Sequence, residues 1–275
     1  MEDTRRVLYV SSEIFPYMPD TDISRLGRFL PQGIQESGKE IRSFTPRYGC
    51  VNERRNQLHE VIRLSGMNII VGNIDRPLVI KVSSISSARM QVYFIDNEDY
   101  FHRKAVYCDT EGNFFKDNDE RALFFARGVL ETVKKLRWKP DIVHCQGWIS
   151  HFLPLYLKTV YCADPIFSDA KVIISLYEDS NNINFSDGTA GRLKAEGLSE
   201  ADASILLEPS GINLAKLAIR YADGAIEGVP AEKIDGNILK AVKDAGIPMM
   251  EYIPTDSESG AYVQKYNDFY DSFLK

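Results

Sequence analysis

The sequence predicts an α/β protein in which helices flank a parallel sheet, and its opening segment carries most of that prediction. An apolar run at Arg6–Val10 is typical of a buried strand. Apolar side chains then recur at steps of three and four residues from Ile23 to Ile34, which indicates a helix with Asp22 as its N-cap. Glu40–Thr45 supplies a second strand. A strand, a helix and a strand in this order predict a right-handed βαβ unit.

The stretch from Leu58 to Ile95 predicts a different structure, a β-hairpin insertion in the α/β frame. It contains short β-rich runs separated by Gly, Pro and Ser residues, with no helical spacing between them. The runs are Val61–Ile62, Asn68–Val71, Leu78–Val82 and Gln91–Ile95. We expect the last run to return to the core sheet.

The rest of the chain predicts alternating helices and strands, beginning with a long helix over Asn118–Leu136. Further strands are predicted at Pro140–Cys145, Lys171–Ser175, Gly224–Ile226 and Met249–Tyr252, and further helices at Ile149–Tyr161, Ile212–Tyr221 and Ala231–Ala245. The polar run Glu178–Gly188 predicts a mobile surface loop. Aromatic residues at helical spacing from Tyr262 to Phe273 predict a C-terminal amphipathic helix.

The composition excludes several classes of protein. The 275 residues carry 33 Lys and Arg against 39 Asp and Glu, a formal net charge of −6, so a general basic surface for nucleic acid or an anionic membrane is absent. No apolar run approaches the ~18–20 residues that span a bilayer, and no secretory signal is predicted at the N-terminus. The four cysteines are widely spaced without a CxxC pair, which predicts reduced thiols in a cytoplasmic protein.

Three pairs of sequence blocks follow one another in order over Arg6–Ser175. They are Val7–Pro16 with Thr45–Gly49, Val92–Phe101 with Asp117–Arg121, and Trp138–Cys145 with Leu153–Lys158. Together these blocks resemble the N-terminal half of glycogen and starch synthases, the retaining glucosyltransferases of glycosyltransferase family 5. Beyond Tyr177 only Ile212–Asp223 continues the resemblance. We therefore predict a single domain over residues 1–275, with a family-like core at 6–175 and a divergent helical part at 176–275.

The resemblance implies the GT-B architecture, in which two Rossmann-like domains face a cleft. This chain would supply a Rossmann-like domain of the GT-B N-terminal type, about half of that two-domain plan. In the plan, the N-terminal domain mostly binds the acceptor glucan and the C-terminal domain mostly binds the nucleotide sugar. The implied activity is transfer of glucose from ADP-glucose to an α-1,4-glucan, and no cofactor is implied.

The first loop departs from the family, which carries Lys-Thr-Gly-Gly-Leu-Ala-Asp where this chain reads Pro19–Arg25. Pro19 replaces the lysine, while Thr21 and Asp22 replace the two glycines that let the backbone approach the donor phosphates. Asp20 and Asp22 would each repel a diphosphate by about 1 kcal/mol or more. Arg25 restores a cation, but at a different place in the loop.

Two later donor motifs depart as well. Where the family has His-Asp-Trp-His and then a His-Asn pair, the changed positions are Gln146, Gly147, Ile149, Tyr177 and Glu178. His151 lies two residues beyond Ile149, but a helix turns about 200° over that offset, so it cannot simply take over the histidine's place. Three altered donor motifs in one chain disfavour ordinary glucose transfer from ADP-glucose by this domain, which makes ADP-glucose a doubtful ligand.

Glu13, Tyr100 and Trp148 match positions that contact sugar in the family, so the resemblance makes them candidate glucan-binding residues. Glu13 follows the first strand, where open α/β sheets bind their ligands. The alternative is that Tyr100 and Trp148 only pack in the core or at the rim. No catalytic residue is assigned.

Other patterns are weak signals of chemistry. Glu208–Gly211 resembles the start of a C-terminal-domain motif of the family, but its second glutamate is replaced by Lys216, which favours an ordinary helix start. The four histidines lack ligand spacing, so no metal site is predicted, and His144 is expected to be a core histidine. No Gly-x-Gly-x-x-Gly motif is present for a dinucleotide.

The sequence thus leaves three functions open. The resemblance implies a glucosyltransferase that uses ADP-glucose. The altered motifs favour instead a non-catalytic module that binds or regulates α-glucan, such as glycogen or a maltooligosaccharide. The third function is one half of a split glycosyltransferase, completed by a protein partner that supplies the donor domain.

Overall fold

A computed structural model describes residues 4–255 and 260–274. Its strands are β1 (Arg6–Ser11), β2 (Glu40–Pro46), β3 (His59–Glu60), β4 (Met67–Val71), β5 (Ile74–Ile85), β6 (Met90–Asp96), β7 (Ile142–Gln146), β8 (Lys171–Leu176), β9 (Gly224–Glu227) and β10 (Met249–Met250). Its α-helices are α1 (Asp22–Glu36), α2 (Glu98–Phe101), α3 (Asn118–Leu136), α4 (Leu153–Lys158), α5 (Thr189–Ala195), α6 (Glu200–Ala203), α7 (Gly211–Tyr221), α8 (Gly236–Ala245) and α9 (Ala261–Asp271).

These strands form one mixed sheet in the order β10-β9-β8-β7-β1-β2-β6-β5-β3, with β4 paired to β5. The strands from β10 to β6 are parallel, whereas β5 runs antiparallel to β6 and to both β3 and β4. The predicted α/β class and the hairpin insertion are therefore confirmed. The chain builds outward from β1 on one side through β2 and β6, and on the other through β7 to β10. The topological switch point, where such sheets bind ligands, lies between β1 and β7.

Several local predictions are wrong, each for a physical reason. The N-cap of α1 is Thr21, not Asp22, because Thr21 has extended backbone and its hydroxyl accepts a hydrogen bond from the Ser24 N–H. The helix predicted from Ile149 starts only at Leu153, after a 3₁₀ turn. The strand predicted at Val61–Ile62 lies instead at His59–Glu60.

The segment predicted as a surface loop after β8 is partly buried. Ser180, Ile183 and Phe185 contribute to the interior, and the segment begins with a 3₁₀ turn. Thr189 and Arg192 bind the buried carboxylate of Asp119 on α3, which ties the following helix to the core. Polar composition is misleading here, because polar groups of the segment itself find partners inside the protein, such as the Ser186 hydroxyl, which donates to Oδ2 of Asp119 over 3.2 Å.

The C-terminal amphipathic helix is confirmed, and it packs across the sheet. Tyr262, Tyr266 and Tyr270 of α9 are buried. The Tyr270 hydroxyl is hydrogen-bonded to Nδ1 of His144 over 2.8 Å, and Nε2 of His144 bonds the Ser175 hydroxyl over 2.7 Å. His144 is thus a core histidine, as expected, and it joins α9 to β7 and β8.

Within the described ranges, no helix is long and apolar enough to cross a membrane. The four cysteines are free thiols.

Candidate functional site

A cleft of about 550 Å³ opens beyond the carboxyl ends of β1, β8 and β9. Five carboxylates dominate its wall, and the described lining includes no lysine or arginine. The lining residues are Glu13, Asp20, Thr21, Asp22, Ile23, Tyr177, Glu178, Asp179 and Val229. The cleft therefore sits where the topology predicts a ligand site, but its charge is negative.

Glu13 enters the cleft from the loop after β1 and is fixed by the start of α1. Its Oε2 accepts a hydrogen bond of 2.6 Å from the Thr21 hydroxyl. That hydroxyl also caps the helix, since it accepts from the Ser24 N–H over 3.0 Å, while the Ser24 hydroxyl accepts from the Thr21 N–H. Burial raises the pKa of Glu13 above its ordinary value. The carboxylate is held rigidly in a partly desolvated position.

Asp179 approaches the same cleft from the loop after β8. Its Oδ2 accepts a hydrogen bond of 2.9 Å from the Trp148 N–H. Burial raises the pKa of Asp179 to about 6, and the nearby charge of Glu13 acts in the same direction. Two carboxylates with raised pKa values, Glu13 and Asp179, therefore face one cleft.

Gly147 lies between Ser12 and Asp179 in the turn after β7. Its φ of +82° lies in the left-handed region, and a Cβ atom there would overlap the Ser12 hydroxyl. The same Cβ would lie 3.3 Å from Oδ2 of Asp179. Because residue 147 is a glycine, there is no side chain between the backbone of this turn and the Asp179 carboxylate.

Two carboxylates of the cleft, Asp20 and Glu178, are paired with cations that do not line it. Arg25 binds both carboxylate oxygens of Asp20, with its Nη2 2.8 Å from Oδ2, and this hydrogen bonding lowers the pKa of Asp20. Nζ of Lys233 lies 3.8 Å from Oε2 of Glu178. Neither arginine nor lysine restores a cationic wall of the kind a diphosphate would need.

The altered donor positions lie at or just behind this cleft. Thr21, Asp22, Tyr177 and Glu178 line it. The carbonyl of Pro19 accepts from the Ser24 hydroxyl in the turn before α1. Gln146 and Ile149 are fully buried. The structure thus brings together the three regions in which the sequence departs from the family.

Tyr100 and Trp148 do not line the cleft. The Trp148 indole is buried among aromatic rings, with centroids 5.0 Å from Tyr107 and 5.6 Å from Phe185. The Tyr100 hydroxyl donates to Oε2 of Glu120 over 2.9 Å. A sugar-binding role for these two aromatic residues stays a prediction, whereas Glu13 lies in the cleft.

Two further motifs have structural roles. Ser210 caps α7 through its hydroxyl, so Glu208–Gly211 is a helix start, as expected. His151 is buried, and burial lowers its pKa to about 4. Among the described residues, no group of three or more His, Cys, Asp or Glu side chains is arranged to hold a metal ion.

Sequence reasoning missed Asp179 and Val229. Both follow the ends of parallel strands, β8 and β9, and the rule that ligands bind at such ends could have found them. The signal is hidden because the polar run after Tyr177 is equally typical of an exposed loop.

Comparison with known proteins identifies relatives over most of the chain. A family model described as the starch synthase catalytic domain matches residues 6–227. The chain is 40% identical to a glycogen synthase of Chlorobium limicola over 173 residues, which cover 62% of this chain and 35% of that relative. It is 32% identical to a glycogen synthase of Chlorobaculum parvum over 220 residues, which cover 79% of this chain and 44% of that relative.

A solved structure has the same fold. The catalytic domain of starch synthase IV from Arabidopsis thaliana, bound to ADP and acarbose, matches with a TM-score of 0.71 at 18% identity. The match covers 91% of this chain and 52% of that one, which confirms the predicted GT-B type of fold. The chain spans between about a third and a half of the length of these relatives. Because the family match extends over most of its residues, this chain belongs to the glycogen and starch synthase family, within that family's catalytic domain.

Proposed function

We propose that this domain binds α-glucan at the cleft between Glu13 and Asp179 and does not itself bind ADP-glucose. The observation that carries the proposal is the convergence of five carboxylates on the cleft, in the loops that would meet a donor phosphate in the family. Carboxylates accept hydrogen bonds from sugar hydroxyls, and a neutral glucan is not repelled by their charge.

The same carboxylates disfavour a nucleotide diphosphate. Each unit charge about 4 Å from a phosphate costs about 1 kcal/mol in water and more in a partly buried cleft. Asp22 and Glu178 are exposed at the mouth of the cleft, and Asp179 lies deeper. A diphosphate would be repelled by several carboxylates at once. The nearby Arg25 does not offset this repulsion, since it is already paired with Asp20.

Calorimetric titration of the chain with maltohexaose and with ADP-glucose tests the proposal. We expect saturable binding of maltohexaose alone, and about tenfold weaker binding by Glu13→Gln, which keeps the shape but removes the charge-assisted hydrogen bond. Glu111→Gln, at an exposed carboxylate, is the matched control and should bind as the wild type does. Binding of ADP-glucose with incorporation of labelled glucose into glycogen by this chain alone would contradict the proposal.

The second candidate is a glucosyltransferase whose donor site is completed outside these residues. The relatives favour it, because this chain matches only part of each glycogen synthase. Incorporation of labelled glucose that requires both this chain and an added C-terminal domain of the family would support this candidate. The cytoplasm is the proposed location for either function, on the strength of the free thiols.

A further inference from the structure

We propose that Phe15 and Phe29 form a second subsite, where the rings stack against sugar units of a glucan that continues out of the cleft. This inference rests on the proposed glucan binding and adds to it a platform at the side of the cleft. The two phenyl rings line one cavity of about 370 Å³, a size typical of small-ligand sites, together with Asp20, Arg25 and Thr255.

The cavity of Phe15 and Phe29 adjoins the carboxylate cleft. Asp20 lines both spaces, so its side chain marks the boundary that a glucan occupying both would cross. At this boundary Asp20 and Arg25 form a two-pronged ion pair. A pair of this kind presents both acceptors and donors to hydroxyl groups while its net charge is zero.

Both rings are exposed although they are large and apolar. Phe15 is 37% exposed and Phe29 is 45% exposed. The guanidinium of Arg28 lies 5.1 Å from the centroid of the Phe29 ring, which places a cation over one face of the ring. Phe29 lies on α1, whereas Phe15 lies in the turn before it. The backbone N–H of Phe15 donates to the Ser24 carbonyl over 3.0 Å, which ties this turn to the first turn of the helix.

The chemistry of this surface fits a neutral sugar chain. Aromatic faces carry partial negative charge and attract the C–H groups on the apolar face of a sugar ring. The adjoining carboxylates favour hydroxyl groups and repel anionic ligands. An oligosaccharide offers apolar faces and hydroxyl groups on each unit, so it satisfies both cavities at once.

The test compares oligosaccharides of different length on ring-deleting variants. Phe15→Leu and Phe29→Leu keep an apolar side chain but remove the flat face. We expect each to bind maltohexaose about fivefold to tenfold more weakly than the wild type, with a much smaller loss for maltose. Ile62→Ala, at a side chain that is 83% exposed elsewhere, should bind as the wild type does.

The outcomes separate this inference from the proposed function. If the wild type binds maltohexaose and both leucine variants bind it as tightly as the wild type does, the proposed subsite does not exist, while glucan binding at the cleft stands. If the wild type binds no oligosaccharide, both are wrong. Sedimentation is run alongside, and a wild-type dimer that becomes a monomer in Phe29→Leu, with unchanged maltohexaose binding, would show a contact between copies instead.

Discussion

The backbone N–H of Trp148 donates a hydrogen bond to Oδ2 of Asp179 over 2.9 Å. This bond joins the turn after β7 to the loop after β8, on the side of the sheet where the ligand site is expected. It also holds a carboxylate beside Gly147, next to Glu13 and the start of α1. The backbone of the turn after β7 therefore holds one of the five carboxylates of the cleft in place.

Replacement of Asp179 by Asn should change the pH dependence of stability. The pKa of Asp179 is raised from 3.8 to about 6 in the folded protein. Its stabilising contribution is therefore present below pH 3.8 and is lost as the pH rises through about 6. As the pH rises from 4 to 7, the free energy of unfolding of Asp179→Asn should therefore increase by about 1–3 kcal/mol relative to that of the wild type.

Urea unfolding of both proteins across this pH range measures the effect of Asp179→Asn. Asn keeps the oxygen that accepts from the Trp148 N–H, so the part of the difference in the free energy of unfolding that does not depend on pH should be small. A difference between the two proteins that does not vary with pH would show that Asp179 titrates as an ordinary carboxylate.

Gly147→Ala should destabilise the fold by about 2–4 kcal/mol, because the new methyl group overlaps the Ser12 hydroxyl and the backbone is left-handed. Gly38→Ala is the matched control. It also has a positive φ, of +100°, but no atom lies within 4 Å of its Cβ, so it should cost about 1–2 kcal/mol. Urea unfolding at constant pH measures both losses.

The double variant Gly147→Ala/Ser12→Gly removes the hydroxyl that the methyl group would overlap. It should recover part of the loss in the free energy of unfolding, because the close contact is relieved while the backbone strain stays. Strictly additive losses in the double variant would show that Ser12 is not the cause.

Much of the fold was predictable because most of the core strands are short apolar runs in the sequence. Helix α3 was predicted with both ends correct, since its apolar spacing is long and a proline follows it. The helices α5 and α6 were missed, because each is only one or two turns long and depends on tertiary partners. Arg192 of α5, for example, is held by Asp119 and Glu120 of α3.

The candidate site was only partly predictable, for a similar reason. Glu13 follows β1, and the rule of strand ends places it correctly in the cleft. The same rule does not say which way a side chain points. It could not show that Glu13 lines the cleft whereas Trp148 is buried. The position of Asp179 could be found only from the three-dimensional structure, because its partner, the Trp148 N–H, lies 31 positions away in the chain.

One hydroxyl group contributes to the attachment of α9 to the sheet. Tyr270→Phe removes the closer partner of Nδ1 of the buried His144 and leaves Nε2 of Gln146 at 3.5 Å, so we expect a loss of about 1–3 kcal/mol in the free energy of unfolding. Tyr262→Phe, on the same helix, is the control. It removes a hydroxyl that lies nearer the surface and should change stability by less than about 0.5 kcal/mol. Equal effects of the two variants in urea unfolding would contradict the role assigned to the His144 bond.

The carboxylate cleft should accept a neutral glucan and reject a nucleotide sugar. Two calorimetric titrations of the wild-type chain test this selectivity at low salt, where charge repulsion is strongest. One titration uses maltohexaose and the other uses ADP-glucose at millimolar concentration. We expect a saturable heat with maltohexaose and none with ADP-glucose. Saturable binding of ADP-glucose, or no response to maltohexaose, would show that the cleft lacks this selectivity.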